Sequence, residues 1–198
     1  QVHFRDPGLT HKADIATESQ AAVAGGVTSF MDMPNTKPPT VTVGALEAKL
    51  ARGAECSSAN YSFFIGATND NMDELLQCDY SRVPGVKLFL GSSTGNMLVD
   101  NEATLDRIFR DVPALIAIHS EDEATIKAMR EKFVAERGDD LPVELHPLIR
   151  SREACVISTR RAIERARRFN TRLHVLHVST AEEVAMFSDA PVQDKLIT

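Results

Sequence analysis

Short runs of apolar, β-branched residues alternate with segments whose apolar positions recur every three or four residues, from one end of the chain to the other. That rhythm predicts βα units around a parallel sheet, so the fold class is α/β. Strands are predicted near residues 2–4, 27–33, 61–66, 86–90, 115–119 and 173–177, and a seventh begins near 195–198. Helices are predicted near residues 15–24, 43–52, 73–77, 103–110, 123–136, 152–168 and 181–187, with Thr42 and Ser151 standing where N-caps belong. Residues 138–150, with Pro142, His146 and Pro147, form the only long irregular stretch and read as a loop between two helices. No repeat, linker or low-complexity tract divides the chain, so residues 1–198 read as a single domain.

Composition narrows the function. The 198 residues are 43% hydrophobic and 25% charged, the balance of a soluble globular domain long enough for a sizeable core. Asp and Glu number 28 against 22 Lys and Arg, a net charge of −6, and no basic stripe is present to attract phosphates, so nucleic acid is not an expected partner. Cys56, Cys78 and Cys155 lie far apart without CxxC spacing. They suggest neither a disulfide framework nor a zinc ribbon and fit a reducing, cytoplasmic setting. The longest apolar stretches, such as residues 114–118, fall well short of the roughly 20 needed to cross a bilayer, so a membrane is not expected either.

Seven βα units in series allow an open doubly wound sheet or a closed barrel, and in both folds ligands gather at the carboxyl ends of the strands. Five such ends carry polar residues. Strand one reads Gln1-Val2-His3-Phe4-Arg5-Asp6-Pro7-Gly8, and alternation puts Gln1, His3 and Arg5 on one face. An imidazole and a guanidinium buried together hint at a metal or an anion in the space they share. Strand two ends in Met33-Pro34-Asn35-Thr36 before Lys37-Pro38-Pro39, a rigid turn presenting one amide. Strand four carries Lys87 inside an apolar run. A charged ammonium there needs a partner, and carboxylation of the neutral amine by carbon dioxide would yield a carbamate able to bridge two metal ions. The following Gly91-Ser92-Ser93-Thr94-Gly95 suits an anion-binding nest but lacks the ending of a P-loop. Strand five ends in His119-Ser120-Glu121-Asp122, where a metal ligand would stand. Strand six, His174-Val175-Leu176-His177-Val178-Ser179, offers two histidines three apart, which a strand points to opposite faces, so only one is expected to face the active side. His11 and His146 fall in loops and carry no assigned role.

A histidine ending strand one, a lysine in strand four and histidines ending strands five and six follow the ligand order of the amidohydrolase superfamily. Within it the chain resembles the dihydroorotases through His3-Phe4-Arg5-Asp6-Pro7-Gly8, Gly25-Gly26-Val27-Thr28, Met33-Pro34-Asn35-Thr36, His119-Ser120-Glu121-Asp122 and His174-Val175-Leu176-His177-Val178-Ser179. The resemblance favours a (β/α)8 TIM-type barrel, of which this chain covers about seven strands. It implies a zinc-dependent opening of the cyclic amide of dihydroorotate to N-carbamoyl-aspartate, reversible and used in pyrimidine biosynthesis. Two zinc ions are implied: His3 on the first, Lys87 as carboxylated bridge, His119 and His177 on the second, with Arg5 and Asn35 for the substrate carboxylate. The family's strand one reads His-x-His, whereas Gln1 stands here at the first position, a poor zinc ligand. Occupancy is therefore expected to favour the His119/His177 side. The general-base aspartate and the eighth strand are expected beyond Thr198, and the family's accessory β-domain, built from both chain ends, is expected outside these residues. A homodimer is implied, and a catalytically silent homologue would serve instead as a structural partner of aspartate transcarbamoylase. A hydantoinase- or allantoinase-type hydrolase is disfavoured by Arg5 and Asn35.

Overall fold

Residues 1–91 and 97–198 are described by a computed structural model, and the apolar runs form parallel strands in it. β1 (Ser29–Asp32) pairs with β2 (Asn60–Phe63), and β3 (Ile65–Gly66), β4 (Val86–Phe89), β5 (Ile116–His119) and β6 (Leu173–Val175) pair in that order, every pair parallel. Only Phe64 separates β2 from β3. Its N–H donates to Asp32 O at 3.1 Å, while Ala67 N–H donates to Lys87 O at 2.9 Å, so one continuous run pairs first with β1 and then with β4.

Both ends of the series extend by isolated bridges. Val2 pairs in parallel with Asp32, and Leu173 with Ile197, followed by Val175 N–H donating to Thr198 O at 2.8 Å. Seven strand positions thus follow one another in chain order. A doubly wound sheet reverses its strand order at a switch point, whereas a barrel keeps it, so this order is that of a barrel. The first strand is shorter than the sequence suggests: it reduces to the Val2 bridge, because Arg5 turns into the left-handed region at φ 67° and ends it.

The connections carry α1 (Ile15–Ala24), α2 (Val43–Cys56), α3 (Met72–Gln77), α4 (Glu102–Asp111), α5 (Glu123–Arg137), α6 (His146–Ile149), α7 (Arg152–Phe169) and α8 (Ala181–Val184). Thr42 accepts from Ala45 N–H and Ser151 from Ala154 N–H, so both expected N-caps cap their helices. The stretch read as a loop between α5 and α7 instead contains a 3-10 turn at Val143–Leu145 and the single-turn α6. Pro142 and Pro147 explain the difference: each fixes φ at a value that suits a helical start, so short turns form without a long periodic pattern.

Register divides the sheet into two unlike faces. Ile65, Val86, Ile116 and Leu173 lie in one row, Leu88, Ile118 and Val175 in the next, and these pack with Leu46, Leu75, Leu105, Ile108 and Ile163 of the helices into the main core. The opposite, inner face holds Gly66, Lys87, Ala117 and His174 in one row and Phe89 and His119 in the next. Its only apolar cluster among the described residues is Met33, Phe64, Ala117 and Leu176. Polar side chains are therefore concentrated on the inside of the curved sheet. No helix is long and apolar enough to cross a membrane, and the three cysteines are free, among the described residues.

Candidate active site

Lys87 is 1% exposed. Its Nζ donates to Leu88 O at 3.3 Å and lies 4.3 Å from the centre of the Phe89 ring; no carboxylate pairs with it among the described residues. Burial therefore holds the amine well below its ordinary pKa. Burial also lowers the imidazoles of His3, His174 and His177, and in each the Lys87 charge adds to the effect, so Nζ lies within electrostatic reach of all three. Imidazole and amine nitrogens can donate an electron pair once unprotonated, and burial favours that form in each of these groups.

His119 ends β5, and its Nδ1 stands 3.1 Å from Nε2 of His177, the rings edge to face at 4.9 Å between centres. The expectation that His174 and His177 diverge to opposite faces is corrected here. His174 sits in the inner row with Lys87 and meets Thr198 Oγ1 at 2.8 Å. His177 lies past the end of β6 with φ 40°, and this left-handed turn breaks the alternation and brings its ring back to His119. Both histidines consequently feel Lys87.

At the other end of the series, His3 Nδ1 lies 2.8 Å from Asn35 Oδ1, and a carbonyl oxygen only accepts, so the proton is on Nδ1. Gln1 Nε2 stands 3.3 Å from the remaining nitrogen, Nε2. Arg5 is half-buried, and its guanidinium makes no side-chain hydrogen bond or ion pair among the described residues. The loops carrying Arg5 and Asn35 interlock. Lys37 N–H donates to Pro7 O at 3.1 Å, and Gly8, at φ 80°, lies so close to Lys37 O that a Cβ would fall 1.6 Å from it.

Three contributors escape a reading by strand ends alone. Asp32 accepts from Phe4 N–H at 2.9 Å and pairs with Lys49 Nζ at 2.6 Å, while Nζ also donates to Met33 O at 3.0 Å; both side chains are almost wholly buried. The pair joins β1 to α2, and the Phe4 N–H bond to Asp32 ties strand one, next to His3, to the same carboxylate. Lys49 shares a helix face with buried Leu46 and Gly53, and a lysine at that spacing is the signal that could have marked it. Glu121 receives His119 Nε2 at 2.6 Å and is clamped by Arg150. His146, left without a role above, lines with Glu121, Arg150, Cys155 and His177 a cleft of about 270 Å³ beside His119. The nest at Gly91 lies, over residues 92–95, outside the described residues.

Among the described residues no three His, Cys, Asp or Glu side chains gather as a cation cage. The donor set is instead two imidazoles with a buried lysine on the same inner face. Two nitrogens bound tetrahedrally to one zinc ion would be separated by about 3.3 Å. The 3.1 Å between His119 Nδ1 and His177 Nε2 fits that requirement.

A parallel barrel segment with imidazoles at the ends of successive strands around a buried lysine defines a TIM-type barrel whose inner face is lined by nitrogen donors. The comparisons agree. The chain is 32% identical over 206 residues to an allantoinase of Streptomyces avermitilis, covering 100% of the chain and 44% of that protein. It is 34% identical over 185 residues to a dihydroorotase of Halobacterium salinarum, covering 92% and 42%. The structure of L-hydantoinase (dihydropyrimidinase) from Arthrobacter aurescens superposes with a TM-score of 0.87 at 25% identity, over 94% of this chain and 42% of that one. No family model matches. The chain belongs to the amidohydrolase superfamily, among the dihydroorotases and their cyclic-amidohydrolase relatives. It spans less than half the length of the curated relatives it matches.

Proposed function

We propose that this chain carries the metal-binding and substrate-binding part of a dihydroorotase, acting in a reducing cytoplasm on the pyrimidine-biosynthetic route. Water adds across the ring amide of dihydroorotate: the carbonyl carbon gains hydroxyl, the ring nitrogen gains the proton, and the C–N bond breaks to give N-carbamoyl-aspartate; ring closure is the reverse. His119 and His177 would hold one zinc ion and His3 another, with Lys87, carboxylated at its neutral amine, between them. The metal, when bound, polarises the carbonyl and activates water.

The observation that carries the substrate assignment is Arg5, a half-buried guanidinium without a partner among the described residues, beside His3 and Asn35. A forked cation left unpaired suits a carboxylate, which dihydroorotate has and hydantoin lacks. Asn35 spends its carbonyl on His3 and keeps its two N–H donors for the same anion.

Elemental analysis of the intact protein, with ring-opening assays on dihydroorotate, allantoin and hydantoin, tests this reading. Zinc with turnover of dihydroorotate alone supports it; preference for allantoin or hydantoin would move the assignment to those relatives. Gln1 against His3 favours one second reading, a silent homologue that partners an aspartate transcarbamoylase, to which metal-free and inactive protein would point.

A further inference from the structure

The imidazole of His119 meets three groups that together leave it no freedom. Two groups reach its Nε2: Glu121 Oε2 at 2.6 Å, which can only accept, and Arg150 Nη2 at 3.3 Å, which can only donate; the much shorter carboxylate contact puts the proton on Nε2 and leaves Nδ1 its lone pair. That lone pair is the atom aimed at His177 Nε2, 3.1 Å away. Glu121 cannot swing aside. Arg150 Nε donates to its Oε1 at 2.8 Å and Arg150 Nη2 to its Oε2, a bidentate fork. The segment behind it is fixed to α7 as well: Asp122 N–H donates to Ala154 O at 3.0 Å and Ser120 Oγ to Ser158 Oγ at 3.0 Å.

We propose that Glu121, clamped by Arg150, is a positioning residue that locks His119 in the Nε2–H tautomer, so that Nδ1 and His177 Nε2 form a preset two-nitrogen seat for a divalent cation. The assignment rests on the metal-dependent reading above. A free imidazole exchanges its proton between two nitrogens, and half the wrong tautomer puts a hydrogen where the cation must go. A carboxylate behind the distal nitrogen removes that loss and makes the ligand more basic. Arg150 supplies the countercharge from a segment 29 residues further along the chain, which makes the folding of residues 143–150 part of the seat.

The intact protein, stripped with a chelator, is titrated with cobalt(II), whose absorption reports binding, and the nitrogen–proton correlations of His119 are recorded before metal is added. In wild type we expect the Nε2–H pattern. Glu121→Gln should bind cobalt 10- to 100-fold more weakly and show a mixture of tautomers. Arg150→Met should shift both readouts the same way by a smaller factor, and it serves where Glu121→Gln does not fold. Wild-type affinity together with an unchanged tautomer in both variants would overturn the proposal. A wild-type protein that takes up no cobalt would instead overturn the metal reading itself, so the two failures are distinguishable.

Discussion

Lys87 and Arg5 are both cationic side chains without a carboxylate partner among the described residues, and they lead to opposite expectations. Lys87 is buried, so it costs the fold desolvation that nothing nearby offsets. Replacing it by methionine, of similar length, should raise the stability of the metal-free protein by about 1–2 kcal/mol, a melting shift of roughly 2–8 °C, while abolishing metal binding and turnover. Calorimetry and metal analysis on the same sample check this; a destabilised variant would mean that the lysine is held by interactions yet to be found. Arg5 is only half-buried, so Arg5→Met should leave the melting temperature unchanged. Its loss should lower kcat/KM for dihydroorotate by about 100-fold or more, the worth of a forked charge-assisted contact, and steady-state kinetics would show it. Full retention of activity would remove Arg5 from the substrate site. Both residues were legible in the sequence, because a lysine inside an apolar run and an arginine one turn past a strand histidine violate the pattern around them. Glu121 was quoted but not given a role, since its partner Arg150 is distant in the chain and no local period links the two.

Elements were legible where one physical rule governs them and obscure where two segments must meet. All seven strand positions and the six helices longer than one turn follow from apolar spacing, and Thr42 and Ser151 from capping chemistry, while the helix predicted over 181–187 forms only at Ala181–Val184. The single-turn α6 and the turn at His177 escape, because four residues carry no period and a positive φ at a histidine leaves no compositional mark. The Asp32–Lys49 pair between β1 and α2 is of the second kind. Asp32 and Lys49 are almost wholly buried, so Lys49→Met leaves an uncompensated carboxylate and should cost about 3–5 kcal/mol. Adding Asp32→Asn should recover much of that loss in denaturant melts, and a neutral single variant would show the pair to be dispensable. At the end of α3, Tyr80 donates its hydroxyl to Leu75 O at 2.7 Å, one of the last carbonyls of that helix. Burial, with some help from Cys78, pushes its phenol above the ordinary value of about 10. The folded pKa is the higher one, so the stability Tyr80 contributes is complete below pH 10 and declines as pH rises beyond it. Between pH 9 and 11 the wild type should lose more stability than Tyr80→Phe, which starts about 1 kcal/mol lower and lacks the titrating group.

At the scale of the whole molecule, the two metal positions proposed for the inner face would be of unequal quality, because they are built at different places along the strand series. The His119/His177 seat joins neighbouring strands five and six, and backbone pairing of β5 with β6 fixes the spacing of its two nitrogens. The His3 position stands on the first strand, held by one bridge at Val2 and by the Phe4 N–H bond to Asp32, and its second donor would be an amide. Asn35 leaves His3 Nε2 as the atom that would coordinate, but Gln1 offers an amide in place of a second imidazole. The intact protein should therefore hold about one tightly bound zinc per chain, with a second that a mild chelator removes first. His119→Ala should lose the tight ion, and Gln1→His should convert the weak position to a tight one, raising retained zinc toward two. Elemental analysis after graded chelation separates these outcomes. Equal retention of two ions in the wild type would show that the amide serves as well as an imidazole. Retention of a single ion that survives His119→Ala would place it beside His3 and reverse the assignment of the two positions.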